Sequence, residues 1–174
     1  VFTPLWLGAS LHIPPAEVRE APGRLAQWLS TESISVCHST PAMTEFLGEP
    51  AAGDQEAPDS LRWMFFGGDR LTHGLVQRVR RWAPSCRLVN FYGTTETPQA
   101  MSFQAIDADA SARRPPGEGV PIGRGIDGAQ LLLLNQAGQQ AGVGEFAEIY
   151  VRTPYLSQGY LEEQQLTHGR FLAN

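Results

Sequence analysis

The feature that most constrains the fold of this chain is an alternation of strand-like and helix-like segments over residues 1–106. Four short apolar or β-branched runs predict buried strands, at 10–13, 34–37, 63–66 and 88–91. Three helix-like segments lie between them, at 22–29, 41–47 and 75–82. Such an alternation predicts an α/β fold with a mainly parallel sheet and flanking helices.

The composition changes after residue 106. Residues 107–117 are rich in Asp, Ala, Arg and Pro, which is typical of a linker. Beyond them, apolar runs separated by glycine turns predict hairpin strands and little helix. We therefore predict three regions: an α/β part at 1–106 with a surface loop at 48–60, a linker at 107–119, and a smaller β-rich, barrel-like subdomain at 118–174.

Composition and charge exclude several classes of function. The net charge of −5 argues against a nucleic-acid partner, because such domains present a basic face. No apolar run approaches the roughly 20 residues of a membrane span, and no signal peptide opens the chain. Cys37 and Cys86 are far apart, which favours reduced thiols in a cytoplasmic protein over a zinc site. The start at Val1 and the end at Asn174 suggest a piece of a larger protein.

Polar or glycine-rich segments follow three of the predicted strands. They begin at Cys37, Phe66 and Asn90 and include His38, Gly67 and Gly68. In an open parallel sheet, ligands bind beyond the carboxyl ends of the strands. The three segments are therefore expected to share one edge and to form one pocket. Taken alone, Gly67-Gly68 fits a tight turn as well as a ligand surface, and His38 fits a structural role.

The segment after the last of these strands contains the largest number of residues that could bind a nucleotide. Tyr92 can stack on a base, Gly93 permits close backbone approach, and Thr94 and Thr95 can bond to phosphate oxygens. Glu96 would repel a bare phosphate but fits a site where Mg²⁺ lies between carboxylate and phosphate. The alternative is a polar turn that caps a following helix.

Another glycine pattern resembles a dinucleotide-binding motif but lies in a different structural context. Residues 123–128 match Gly-x-Gly-x-x-Gly, which binds dinucleotides only between a strand and a helix. Here the apolar run at 129–134 predicts a following strand, which argues against a dinucleotide site.

At residues 90–97, Asn-Phe-Tyr-Gly-Thr-Thr-Glu-Thr, the chain resembles the adenylate-forming enzymes, and most closely the adenylation domains of nonribosomal peptide synthetases. Further similar segments occur in family order, at 4–9, 120–123, 144–150 and 156–160. The Phe-Gly-Gly-Asp run at 66–69 also resembles the branch that contains aminoadipate reductase.

The resemblance implies that a carboxylate reacts with ATP to give an acyl-adenylate and pyrophosphate. The acyl group then passes to the phosphopantetheine thiol of a carrier protein. The acid would be an amino acid or a related carboxylic acid. The chain would resemble roughly the middle third of an adenylation domain, so that the isolated chain is expected to be inactive without the rest of its parent synthetase.

The resemblance also implies roles for individual residues. Tyr92 would stack on adenine, Thr95 would contact the α-phosphate, and Glu96 would hold Mg²⁺, which makes Thr95 and Glu96 the catalytic pair. The other nucleotide-binding residues would be Gly67, Gly68, Asn90, Phe91, Gly93 and Thr94. The substrate pocket would be lined by His38, Phe65, Gly67, Phe91, Gln99 and Ala100. The alternatives are part of an acyl-CoA or aryl-CoA ligase and a non-catalytic interaction fragment.

Overall fold

The computed structural model describes residues 2–21, 23–45, 47, 58–97 and 99–172. The chain divides into two compact units, of which the first is Val1–Asn90 with Ala105–Pro121 and the second is Phe91–Gln104 with Ile122–Asn174. The chain thus leaves the first unit and returns to it. The linear division predicted from the sequence did not anticipate this return, because composition does not reveal which segments pack together.

The first unit alternates helices and strands as the sequence pattern predicts. In chain order they are α1 (Phe2–Trp6), α2 (Ala16–Arg19), α3 (Arg24–Thr31), β1 (Val36–Ser39), α4 (Pro41–Glu45), β2 (Trp63–Phe66), α5 (His73–Trp82) and β3 (Arg87–Tyr92). The last two residues of β3 belong to the second unit. β1 pairs with β2 and β2 pairs with β3, both in parallel. The prediction of an α/β fold with a mainly parallel sheet is confirmed.

The core of the first unit lies between one face of these strands and the helices. Met64 and Phe66 of β2 are fully buried and belong to one apolar cluster with Leu88 of β3, Leu29 of α3 and Val76 of α5. Burying one such side chain stabilises the fold by roughly 1.5–3 kcal/mol. The cluster therefore fixes the strands that carry the first group of predicted site residues.

Two segments of the first unit differ from the sequence prediction, and two others lie wholly or partly outside the described residues. Residues 10–13 form no strand. The segment predicted as a linker contains a helix, α6 (Ala108–Ala112), which begins after the cap residue Asp107. Ser111 of this helix hydrogen-bonds to His73 of α5, with 2.8 Å between Oγ and Nδ1. Pro22, the predicted helix start, and most of the predicted loop at 48–60 lie outside the described residues.

The second unit is rich in strands. β4 (Ser102–Ala105), whose last residue belongs to the first unit, pairs with β5 (Arg124–Gly125), and β6 (Gln130–Leu134) pairs with β7 (Glu148–Arg152), both antiparallel. The predicted hairpin is therefore confirmed, and no closed barrel forms among the described residues. The sequence did not predict α7 (Gln164–Arg170). Over the part of the chain that the structure describes, none of the helices is long and apolar enough to cross a membrane.

The glycine pattern at 123–128 serves backbone packing. A Cβ on Gly123 would lie 1.9 Å from the carbonyl oxygen of Phe103, a residue of the antiparallel pairing of β4 with β5. The strand predicted after the pattern is present as β6. These glycines therefore let two backbones approach closely, which is a structural reason for the motif.

Candidate functional site

Strands β1 and β2 of the first unit end level with each other, and Asn90 of β3 lies level with their last residues. In their register, Ser39 of β1 lies beside Phe66 of β2, and Phe66 lies beside Asn90 of β3. Parallel sheets bind ligands beyond such carboxyl ends. The strands are therefore in register near their carboxyl ends, and the pocket predicted there stays a prediction.

His38 and Phe65 are neighbours near this edge. They pair across β1 and β2, and their stacked rings have centroids 4.8 Å apart. Loss of water around the imidazole lowers the pKa of His38 from its usual range, so that the ring is neutral at pH 7. The two rings therefore pack face to face across the neighbouring strands. This arrangement is consistent with the pocket role predicted for both residues, which stays a prediction.

Gly67 and Gly68 follow β2 directly. The N–H group of Gly67 donates a hydrogen bond to the carbonyl oxygen of Ser39, at 3.3 Å. Gly68 has φ = +87°, a backbone conformation that favours glycine. The chain therefore bends at Gly68, directly after the strand, and the predicted contact of the two glycines with adenine stays a prediction.

Asn90 has a structural role that the sequence did not reveal. Its side chain is buried, and its Nδ2 donates to the carbonyl oxygens of Val120, at 3.3 Å, and Pro121, at 3.0 Å. These bonds hold the returning chain segment against the end of β3. Its predicted place at the border of adenine stays a prediction beside this structural role.

Phe91 and Tyr92 end β3 in the second unit and are both half-buried. The carbonyl oxygen of Tyr92 accepts a hydrogen bond from the N–H group of Met101, at 2.7 Å. This bond fixes the backbone from which the Tyr92 ring projects. Part of the residue stays accessible, as stacking on a base requires.

Position 93 requires glycine because the backbone of residues 99 and 100 lies too close to leave room for a side chain. A Cβ there would lie 2.1 Å from the carbonyl oxygen of Gln99 and 3.3 Å from the Cα of Ala100. Gln99 has φ = +69°, which is strained for a residue with a side chain. The predicted close approach at Gly93 thus involves the backbone at 99–100, whose two residues were predicted to line the substrate pocket.

Thr94 and Thr97 close a turn around Thr95 and Glu96. The N–H group of Thr94 donates to Thr97 Oγ1 at 3.1 Å, and the N–H group of Thr97 donates to the carbonyl oxygen of Thr94 at 3.2 Å. Thr97 is buried, whereas Thr94 and Thr95 are exposed. In the described residues after this turn the next element is strand β4, so the helix-capping alternative lacks its helix. The turn therefore leaves Thr95 exposed to solvent.

Glu96 is held by a segment that is distant in sequence. Its carbonyl oxygen accepts a hydrogen bond from the N–H group of Ser157 at 2.8 Å, and its carboxylate accepts one from the hydroxyl of Tyr160. The bond from Tyr160, followed by bonds from its own N–H group and Thr94, holds the pKa of Glu96 below its usual range. The same bond raises the pKa of Tyr160, which therefore keeps its proton. Sequence reasoning assigned Tyr160 no role beyond its place in a Gly-Tyr segment.

Two further features bear on where a ligand can bind. A cavity of about 650 Å³ in the second unit is lined by residues 126–130 and 152–154, none of which was predicted as a site residue. Its wall carries one acidic and one basic side chain, those of Asp127 and Arg152. Among the described residues, no three His, Cys, Asp or Glu side chains could hold a metal ion by themselves.

The chain is similar to proteins of one known family. Residues 1–161 match the family model described as AMP-binding enzyme. The chain is 41% identical to L-2-aminoadipate reductase of Schizosaccharomyces pombe, covering 99% of this chain and 12% of that protein. It is 31% identical to delta-poly-L-ornithine synthetase of Acinetobacter baumannii, covering 99% of this chain and 12% of that protein. The chain thus spans only a small part of the curated relatives that it matches.

The chain is also similar in structure to solved nonribosomal peptide synthetase proteins. An alpha-methyl-L-serine-AMP-bound form of the nonribosomal peptide synthetase FmoA3 matches with a TM-score of 0.86 and 29% identity, over 99% of this chain and 19% of that chain. PA1221, an NRPS protein containing adenylation and PCP domains, matches with a TM-score of 0.73 and 27% identity, over 92% of this chain and 30% of that chain. The chain belongs to the AMP-binding enzyme family.

Proposed function

We propose that this chain is the middle part of an adenylation domain that activates an amino acid, or a related carboxylic acid, with ATP. The observation that carries the proposal is the turn at 93–97, which places an exposed threonine hydroxyl beside an ionised carboxylate. Membership of the family supports it, as does the likeness to reductases and synthetases over nearly the whole chain. The longer protein to which we propose that the chain belongs is called the parent protein below.

The proposed reaction has two steps. A carboxylate oxygen of the acid attacks the α-phosphorus of ATP, the bond to the β-phosphate oxygen breaks, and pyrophosphate leaves. The thiol of a carrier protein's phosphopantetheine arm then attacks the acyl carbon, and AMP leaves with the former carboxylate oxygen. PA1221 joins adenylation and PCP domains, which supports a carrier protein as partner.

In this proposal the second unit supplies the residues that stack on adenine and bind the phosphates. The half-buried ring of Tyr92 stacks on adenine, next to the backbone of Phe91 and Gly93. The exposed residue Thr95 donates its hydroxyl to the α-phosphate, and Thr94, whose hydroxyl contacts Thr97 and Glu96, lies beside the phosphates. A donor at that atom stabilises the negative charge that grows on it during attack.

The first unit supplies the remaining proposed contacts. Gly67, Gly68 and Asn90 border the adenine, and His38 and Phe65 contact the side chain of the acid. The neutral imidazole can donate or accept one hydrogen bond, which suits a polar substrate group. Gly67 of this unit stays a proposed substrate contact, as do Phe91, Gln99 and Ala100 of the second unit.

Glu96 fits the Mg²⁺ that ATP chemistry requires. Mg²⁺ usually binds one or two carboxylates together with substrate phosphates, so a lone ionised Glu is sufficient. When bound, the ion would neutralise phosphate charge and orient the nucleotide. Glu96 would hold it through the carboxylate that Tyr160 also contacts.

The acid is the least defined part of the proposal. Five relatives that are 35–41% identical are named L-2-aminoadipate reductases, whereas two linear gramicidin synthase subunits are 31–32% identical. L-2-aminoadipate is therefore the first acid to test, followed by the standard amino acids. We propose a cytoplasmic enzyme, and we propose that the isolated chain is inactive.

A substitution at Glu96 tests this proposal. In the parent protein, Glu96→Gln should lower kcat/KM in acid-dependent ATP–pyrophosphate exchange at least 100-fold, since losing a metal contact costs several kcal/mol. The matched control is Glu145→Gln, because Glu145 is an exposed carboxylate that also accepts two hydrogen bonds and also has a lowered pKa. Exchange by Glu96→Gln within twofold of wild type would contradict the assignment.

A further inference from the structure

Two contacts from one short segment hold Glu96. The backbone N–H group of Ser157 fixes the Glu96 carbonyl oxygen at 2.8 Å, and the Tyr160 hydroxyl donates to carboxylate oxygen Oε1. One contact thus fixes the main chain of Glu96 and the other fixes its carboxylate. Together they restrict where the second carboxylate oxygen, Oε2, can point.

The residue that carries this hydroxyl is itself held in place. The N–H group of Tyr160 donates to Thr167 Oγ1 of α7 at 2.9 Å, and its ring meets Phe171 edge-on with centroids 5.7 Å apart. A Cβ on Gly159 would lie 2.5 Å from Thr167 Cγ2, so this approach to α7 requires glycine. The position of the hydroxyl is therefore set by the packing of the 159–171 segment.

We propose that Tyr160 is a positioning residue for Glu96, orienting the carboxylate so that Oε2 is presented to the metal ion of the nucleotide. This inference rests on the proposed function, in which Glu96 holds Mg²⁺. Partners that hydrogen-bond to a metal ligand typically change metal affinity about 10- to 100-fold when they are removed. A single neutral hydroxyl donor corresponds to the lower end of that range, about tenfold.

The test uses Tyr160→Phe in the parent protein, since this change removes only the hydroxyl and keeps the ring against Phe171. Binding of Mn²⁺ in the presence of AMPPNP is measured by electron paramagnetic resonance, which requires no turnover. The Mg²⁺ concentration for half-maximal pyrophosphate exchange and the KM for the acid are measured alongside. The matched control is Tyr150→Phe, which removes a hydroxyl that donates to another carboxylate, that of Glu148, at 3.4 Å.

The expected result is a roughly tenfold rise in the Mn²⁺ dissociation constant and in the half-maximal Mg²⁺ concentration for Tyr160→Phe, with the KM for the acid unchanged. Tyr150→Phe should behave as wild type, and Tyr160→Phe should cause no further loss in a Glu96→Gln background. If Glu96→Gln loses Mn²⁺ binding while Tyr160→Phe retains it, the inference is wrong and the proposed function stands. If Glu96→Gln binds Mn²⁺ as wild type does, the proposed metal role of Glu96 is wrong, and the inference fails with it.

Discussion

Replacing Gly93 with alanine should disable the turn that carries Thr95 and Glu96. The added Cβ would lie 2.1 Å from the Gln99 carbonyl oxygen and 2.9 Å from the Gln99 carbonyl carbon. The closest comfortable carbon–oxygen contact is about 3.3 Å, so one backbone must retreat by about 1.2 Å. Gln99 already has φ = +69°, which leaves its backbone little freedom to adjust.

The expected loss of activity follows from this displacement. A misplacement of about 1 Å costs on the order of 100-fold in rate when catalysis depends on positioning. We therefore expect kcat/KM for ATP in pyrophosphate exchange to fall about 100-fold in Gly93→Ala. Overpacking should also destabilise the fold by about 1–3 kcal/mol, which thermal unfolding will register.

A control separates the local clash from a general effect of losing a glycine. Gly117→Ala adds a Cβ that meets no atom within 4 Å and requires no positive φ, so it should leave kcat/KM unchanged. Circular dichroism establishes that Gly93→Ala is folded at the assay temperature. A folded Gly93→Ala with kcat/KM within twofold of wild type would refute the reasoning, since the turn would then tolerate the displacement.

Three further predictions concern the sheet edge and the thiols. Tyr92→Ala should weaken ATP binding by about 1–3 kcal/mol, the usual value of stacking on a base, and Tyr92→Phe should cost much less; equal rises of the ATP KM in both variants would exclude stacking. His38→Ala should change the ranking of acids in a substrate panel while the ATP KM stays constant, because its ring stacks on Phe65 in the proposed acid pocket; an unchanged ranking would leave His38 with a structural role only. Burial raises the pKa of Cys37 and of Cys86 to about 11, so both should react slowly with iodoacetamide at pH 7 and faster in denaturant, as followed by peptide mass spectrometry; complete labelling of the native protein within minutes would contradict this.

Much of the first unit could be predicted because the spacing of apolar residues along the sequence follows the burial of their side chains. The run at 63–66 is apolar since Met64 and Phe66 are fully enclosed, and Leu75, Val76 and Val79 recur at helical spacing since that face of α5 is buried. In residues 10–13 the two apolar side chains, Leu11 and Ile13, are exposed instead. An apolar run alone therefore predicted a strand where no neighbouring strand pairs with it among the described residues.

The site could be predicted only in part, because local sequence shows residue types but not long-range partners. The Thr-Thr-Glu run indicated phosphate and Mg²⁺ chemistry, whereas the contact of Glu96 with Tyr160 joins residues 64 positions apart. Asn90 likewise bonds to carbonyl groups 30 and 31 positions away. Gly93 was identified as a point of close approach, but only the structure shows that Gln99 is its neighbour.

The central claim, that an acid carboxylate attacks the α-phosphorus of ATP, is tested most directly with an oxygen label. The parent protein is supplied with ATP, Mg²⁺, the carrier protein and an acid whose carboxylate carries ¹⁸O, beginning with L-2-aminoadipate. The products are analysed by mass spectrometry. The account predicts that AMP gains one ¹⁸O atom while pyrophosphate gains none. Formation of ADP and ¹⁸O-labelled phosphate, or of AMP without the label while the acid is consumed, would contradict it.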